Sequence, residues 1–113
     1  MSLMPYDEDL AHRLREMLAG EDAVSEKKMF GGLAFLVRGH MAVAASHTGG
    51  LLARADPERT EEIVARPHAG LMEMRGRAMA GWISVDAKGV ESDKALRPWV
   101  DEALAYVRSL PPK

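Results

Sequence analysis

Cysteine is absent from the sequence, which removes disulfide frameworks and thiolate metal sites. Aromatic residues are scarce at 5%, so there is little material for the stacked platforms that hold single-stranded nucleic acid. No apolar run approaches the roughly 20 residues that a membrane-spanning helix needs, and no membrane association is expected. The amino terminus carries Asp7, Glu8 and Asp9, where a secretory signal would carry cations and then an apolar stretch. The expected location is therefore the cytoplasm. Met1-Ser2-Leu3 ahead of Met4 reads as an expression scar, which leaves residues 4–113 as one domain.

A chain of 113 residues suits a single core. Its 47% hydrophobic and 28% charged residues are ordinary for a globular protein. The formal net charge is -2, which does not suit a general nucleic-acid binder. The charge is unevenly spread. Residues 1–26 hold two arginines against seven acids, and the remainder holds thirteen cations against ten acids.

Leu10, Leu14, Met17 and Leu18 recur at helical spacing. With acids at its start and Gly20 as a stop, this predicts a helix over about 7–19. Three short apolar runs follow, Leu33–Val37, Met41–Ala45 and Leu51–Arg54, separated by glycine-bearing turns. They predict an antiparallel meander, preceded by a strand over about 26–30. Asp56-Pro57 is a helix start, with a capping aspartate and a proline at the first helical position. That helix should end near Ala65, ahead of Pro67. Strands are expected over 71–74 and 79–85, with a turn at 86–89. A last helix over 92–110 should break or kink near Arg97, because Pro98 removes a hydrogen bond and clashes with the turn before it.

The order is thus α, three or four strands, α, two strands, α. Strands joined by hairpins, with helices at both ends, predict an α+β two-layer sandwich with an antiparallel sheet.

The segment KKMFGGLAF, residues 27–35, raises the question of a phosphate-binding loop. Such a loop places its lysine after the glycines and a helix after the loop. Here Lys27 and Lys28 precede Gly31 and Gly32, and a strand follows, so the pair reads as a structural bend or bulge. At least one of the two glycines is expected to have a positive φ or to form a bulge.

The block running from Lys27 and Lys28 through Met29-Phe30-Gly31-Gly32 into a hairpin resembles the TfoX/Sxy amino-terminal domain family. The later strand Met79-Ala80-Gly81-Trp82-Ile83 and the alanine-rich last helix with Trp99 are similar to that family as well. The resemblance covers about residues 9–110. It implies a secretion-chaperone-like two-layer α+β fold, with Met29, Phe30, Gly31 and Gly32 as a structural motif. In competence regulators this domain precedes a second, helical domain. The sequence ends at Lys113, so the competence role is not expected to carry over in full. The family offers no catalytic residues to map.

The chemistry-bearing residues point the same way. His12, His40, His47 and His68 lack the short-spaced pairing of a metal site, and His40, beside a turn glycine, is expected to be exposed. Ser46 and His47 adjoin in sequence, but neighbouring strand side chains point apart, and no nucleophile elbow is present. No catalytic residue, cofactor or metal is expected. The methionines read as core filler. Lys27, Lys28, Arg75 and Arg77 would form a basic patch if the sheet order brought them together.

The function expected is a non-catalytic regulatory or protein-interaction module. The alternative is a small-ligand-binding or enzymatic domain with a pocket near Gly31, Gly32 and Trp82. Strand alternation puts Leu33, Phe35 and Val37 on one face of the sheet and Ala34 and Leu36 on the other. It likewise sets Ala44 opposite Met41, Val43 and Ala45, and Trp82 opposite Met79, Ile83 and Val85. The second face is too apolar to stand bare. A twofold homodimer built on Leu36, Ala44 and Trp82 is therefore expected, with the further protein partner unidentified and no sequence-specific duplex DNA binding by this chain alone.

Overall fold

The computed structural model describes residues 7–29, 31–46, 49–74 and 76–111. Phe30, His47 and Arg75, named above, lie outside them, as does the amino-terminal scar. Helix α1 spans Glu8–Met17. It is started by Asp7, whose Oδ1 accepts hydrogen bonds from the backbone N–H of Asp9 (2.9 Å) and Leu10 (3.2 Å), the expected way to satisfy the free donors of a first turn. Four strands follow: β1 (Val24–Met29), β2 (Gly32–Val37), β3 (His40–Ala45) and β4 (Leu51–Arg54). The β2–β3 turn has Arg38 at φ 55° and Gly39 at φ 87°, the double left-handed geometry whose twist matches a two-residue hairpin. Asp56 caps a 3₁₀ turn, Pro57–Arg59, through a hydrogen bond from the Glu58 N–H. This leads into the short helix α2, Thr60–Val64. Strands β5 (Ala69–Met74) and β6 (Arg77–Val85) form the last hairpin. A 3₁₀ turn at Ala87–Val90 and helix α3, Asp93–Arg108, complete the order.

The strands make one antiparallel sheet in the order β1-β2-β3-β4-β6-β5. The architecture is α+β, as the element order predicts. All three helices pack on one face. There Leu10 and Leu14 of α1 and Leu96, Val100 and Leu104 of α3 meet Phe35, Val43, Leu51 and Ile83 of the strands. Each large side chain withdrawn from water in this layer contributes about 1.5–3 kcal/mol. Glu102 of α3 ties the layer to α2. It accepts from Arg66 Nη2 at 3.1 Å and also pairs with Arg59. On α1, Arg15 grips Glu26 of β1 in a two-pronged contact of 2.6 and 2.8 Å.

Three expectations are corrected. Helix α3 runs through Pro98 without a break. The proline falls in the second turn on the exposed side, so one hydrogen bond is lost and the rest of the helix, packed on the core, holds. His40 is buried, 9% exposed, because its Nε2 lies 2.6 Å from the Pro111 carbonyl oxygen beyond α3. Met41 and Met79 lie on the face opposite to the one that strict alternation assigns. Two register shifts cause this. In β3, both Ala42 and Val43 stand against Phe35. In β6, Ala80, Gly81 and Trp82 intervene between the Leu71–Ile83 and Met72–Met79 pairs. Each shift moves the residues beyond it to the other face.

Candidate interaction face

The β6 irregularity is built into the sequence. Gly81 has φ 84°, a conformation that favours glycine. Its N–H donates to the buried Thr60 Oγ1 at 3.1 Å, and its carbonyl accepts from Ala55 N at 2.8 Å. Both backbone groups of Gly81 are thus hydrogen-bonded, one from α2 and one from the residue after β4. Directly after it, Trp82 projects from the sheet face that carries no described helix.

That face holds a second apolar cluster. Ala34, Met41, Ala44 and Leu52 form its floor, and Met29, Leu36, Met72 and Trp82 stand half-buried around them. Leu36 and Trp82 therefore share one surface, as the alternation predicts. Ala44 is 1% exposed, so it belongs to the floor rather than to the accessible part. The residues around it are larger than expected, because the two bulges add methionines to this side.

Charge on this face is one-sided. Lys27 pairs with Ala34 in register, Arg54 with Trp82, and Arg77 stands two residues before Met79, the register partner of Met72. All three cations share the face, since directly paired strand residues point the same way. Among the described strand residues the carboxylates lie on the other side: Glu26 pairs with Phe35, and Glu73 alternates with Met72. Lys28 pairs with Leu33 and so faces the helices. Of the expected basic patch, Arg75 lies outside the described residues, and Lys28 is on the other face from Lys27. Lys27 on the β1 edge and Arg77 at the far hairpin flank an apolar middle.

Arg54 ends β4 at the rim of that face, beside Trp82 and within reach of α3. Its Cζ lies 4.7 Å from the Trp82 ring centroid and 5.4 Å from that of Tyr106 on α3, within the range of favourable cation–π attraction. Among the described residues no carboxylate or carbonyl pairs with its guanidinium. Sequence reasoning missed Arg54. Its two ring partners come from β6 and α3, and the only signal was a lone cation ending a strand.

Gly31 and Gly32 turn β1 into β2, whereas Trp82 lies on β6, three strands beyond β2 in the sheet. Four clefts formed by described residues have linings that include none of the three. One of these, about 510 Å³, is lined in part by His68, Ser84 and Asp86. His68 Nδ1 is 3.0 Å from Asp86 Oδ1, and the hydrogen bond from His68 holds the Asp86 carboxyl below its usual value. The same carboxylate also accepts from Gly89 N at 3.0 Å, so it serves as the cap of the following 3₁₀ turn. Among the described residues no three His, Asp or Glu gather as a metal site, and no helix is long and apolar enough to cross a membrane.

The family model described as the TfoX N-terminal domain matches residues 16–107. No curated protein matches the chain significantly. No solved structure does so either.

Proposed function

Starting from a chain that belongs to the TfoX N-terminal domain family, we propose a non-catalytic regulatory or protein-interaction module, located in the cytoplasm, that works through the helix-free face of its sheet. The observation that carries this reading is the second apolar cluster, with Leu36, Met72 and Trp82 half-buried and no described helix above them. An antiparallel sheet with one face open to water normally alternates apolar with polar residues. This face does not, and apolar patches of that kind mark contact surfaces. The family assignment agrees with a competence-regulator-like domain that acts by contact. Sequence-specific duplex binding is no part of the reading, since the formal net charge of -2 does not suit it.

A twofold homodimer on Leu36 and Trp82, over the floor to which Ala44 belongs, is one form of this function. The reading with a ligand pocket near Gly31, Gly32 and Trp82 draws no support from their placement on separate strands. Two measurements test the proposal on wild-type chain and on Leu36→Glu, both checked for folding by circular dichroism. Light scattering after gel filtration is expected to show either a dimer that the substitution dissociates or an unchanged monomer. In the monomer case, affinity capture from the native host should retain a stoichiometric protein that Leu36→Glu releases. A monomer whose captured proteins are identical with and without the substitution would refute the use of this face.

A further inference from the structure

The face that carries no described helix combines three features that together specify its partner. It is rich in methionine, with Met29, Met41 and Met72 in one cluster, and flexible thioether chains suit a surface that moulds to an apolar segment. Its described strand residues carry cations and no carboxylate. At its rim, where β4 ends beside α3, Arg54 lies near both the Trp82 and Tyr106 rings without an acidic partner among the described residues. Ring contacts do not take the place of a carboxylate on the N–H edge of a guanidinium. That edge is a planar fork matched to a carboxylate. Arginine and tryptophan held in this way are also the residue types that dominate binding energy at interfaces.

We propose that this face receives an acidic amphipathic segment of another protein. A carboxylate of that segment engages Arg54, while its apolar side chains rest on Leu36, Met72 and Trp82. The proposal rests on the module reading above and names the partner's chemistry. A second copy of the chain fits less well, because a twofold partner would set Lys27, Arg54 and Arg77 against the same three cations with no acid from the facing strands. Nucleic acid also fits less well. Its phosphates call for a continuous cationic track, whereas here the cations are spread around an apolar centre.

The test is a selection of a random-sequence peptide library on the wild-type chain, followed by anisotropy titration of the recovered peptides. The expected peptides combine apolar residues with at least one Asp or Glu. Changing that acid to its amide should weaken binding to wild type tenfold or more. With Arg54→Gln the same change should have little effect, and Arg54→Lys, which keeps charge without the fork, should fall between. Circular dichroism verifies that each variant is folded. Recovered peptides that lack acids, or that bind equally as amides, overturn the inference but leave the docking face standing if Leu36→Glu still abolishes their binding. Recovery of no peptide, or of peptides indifferent to Leu36→Glu, overturns the inference and removes support from the module reading too. A dimer dissociated by Leu36→Glu would put a second copy on the face instead. Tight binding of a single-stranded oligonucleotide, lost in Arg54→Gln, would replace the acidic segment by nucleic acid.

Discussion

Gly31 and Gly32 are adjacent but meet different physical demands. Gly31 has φ 77°, where a Cβ crowds the following carbonyl at a cost of roughly 1–2 kcal/mol. Gly32 has no such angle, yet a Cβ built on it would overlap the Ala45 carbonyl oxygen on the neighbouring strand. Backbone cannot swing aside as a side-chain end can. Gly32→Ala should therefore cost more than Gly31→Ala, about 3 kcal/mol or more against roughly 1–2 kcal/mol. Urea unfolding of the two variants measures the difference, and equal midpoints would show that β3 can retreat from Gly32. The sequence made the pair legible as structural, because the lysines precede it and a strand follows. It could not separate the two roles, since Ala45 reaches Gly32 only through the β2–β3 pairing. Arg54 was hidden for the same reason. Its meaning depends on rings brought to it by tertiary structure.

At the scale of elements, hydrophobic periodicity and turn chemistry located every helix and strand to within a few residues. The bulges were not legible, because a register shift is a property of two strands and a pattern along one strand does not report it. Met41 and Met79 changed sides on that account. Pro98 misled in the opposite direction, because a local penalty was outweighed by the packing of α3. The contact between α1 and the edge strand β1 offers a test by pH. The Arg15 hydrogen bonds hold the Glu26 carboxyl below its ordinary value of 4.5. A carboxyl with a depressed folded-state pKa contributes stability that is fully present above the unfolded value. That contribution fades as pH falls through the lower, folded value. Stability should thus decline below about pH 4.5, and Glu26→Gln should flatten part of that decline while changing little at lower pH, where both forms are uncharged. Chemical unfolding of both proteins between pH 3 and 7 checks this. Parallel curves would mean that the ion pair is fully screened by solvent.

For the molecule as a whole, the decisive property is that one sheet has two apolar faces with different fates. Phe35 and Leu36 are neighbours in sequence, yet Phe35 is fully buried under the helices and Leu36 stands half-buried on the open side. A glutamate at either position places a charge among apolar side chains. At position 35 that charge is buried under the helices, the nearby Arg15 guanidinium, 5.9 Å from the ring centroid, is already held by Glu26, and the ring it replaces held the core. Phe35→Glu should lose at least roughly 3 kcal/mol, a large fraction of a small domain's stability, and should expose the core to a hydrophobic dye. At position 36 the side chain can reach solvent, and Lys27 and Arg54 share its face. Leu36→Glu should therefore keep its circular dichroism spectrum and stay within about 1 kcal/mol of wild type, while losing whatever the open face binds. If the two variants unfold alike, the second cluster is as much a part of the folding core as the first, and the sheet has no working face. If they separate, stability resides in the helix-covered layer, and the methionines, Trp82 and Arg54 on the other side are available for contact with a partner.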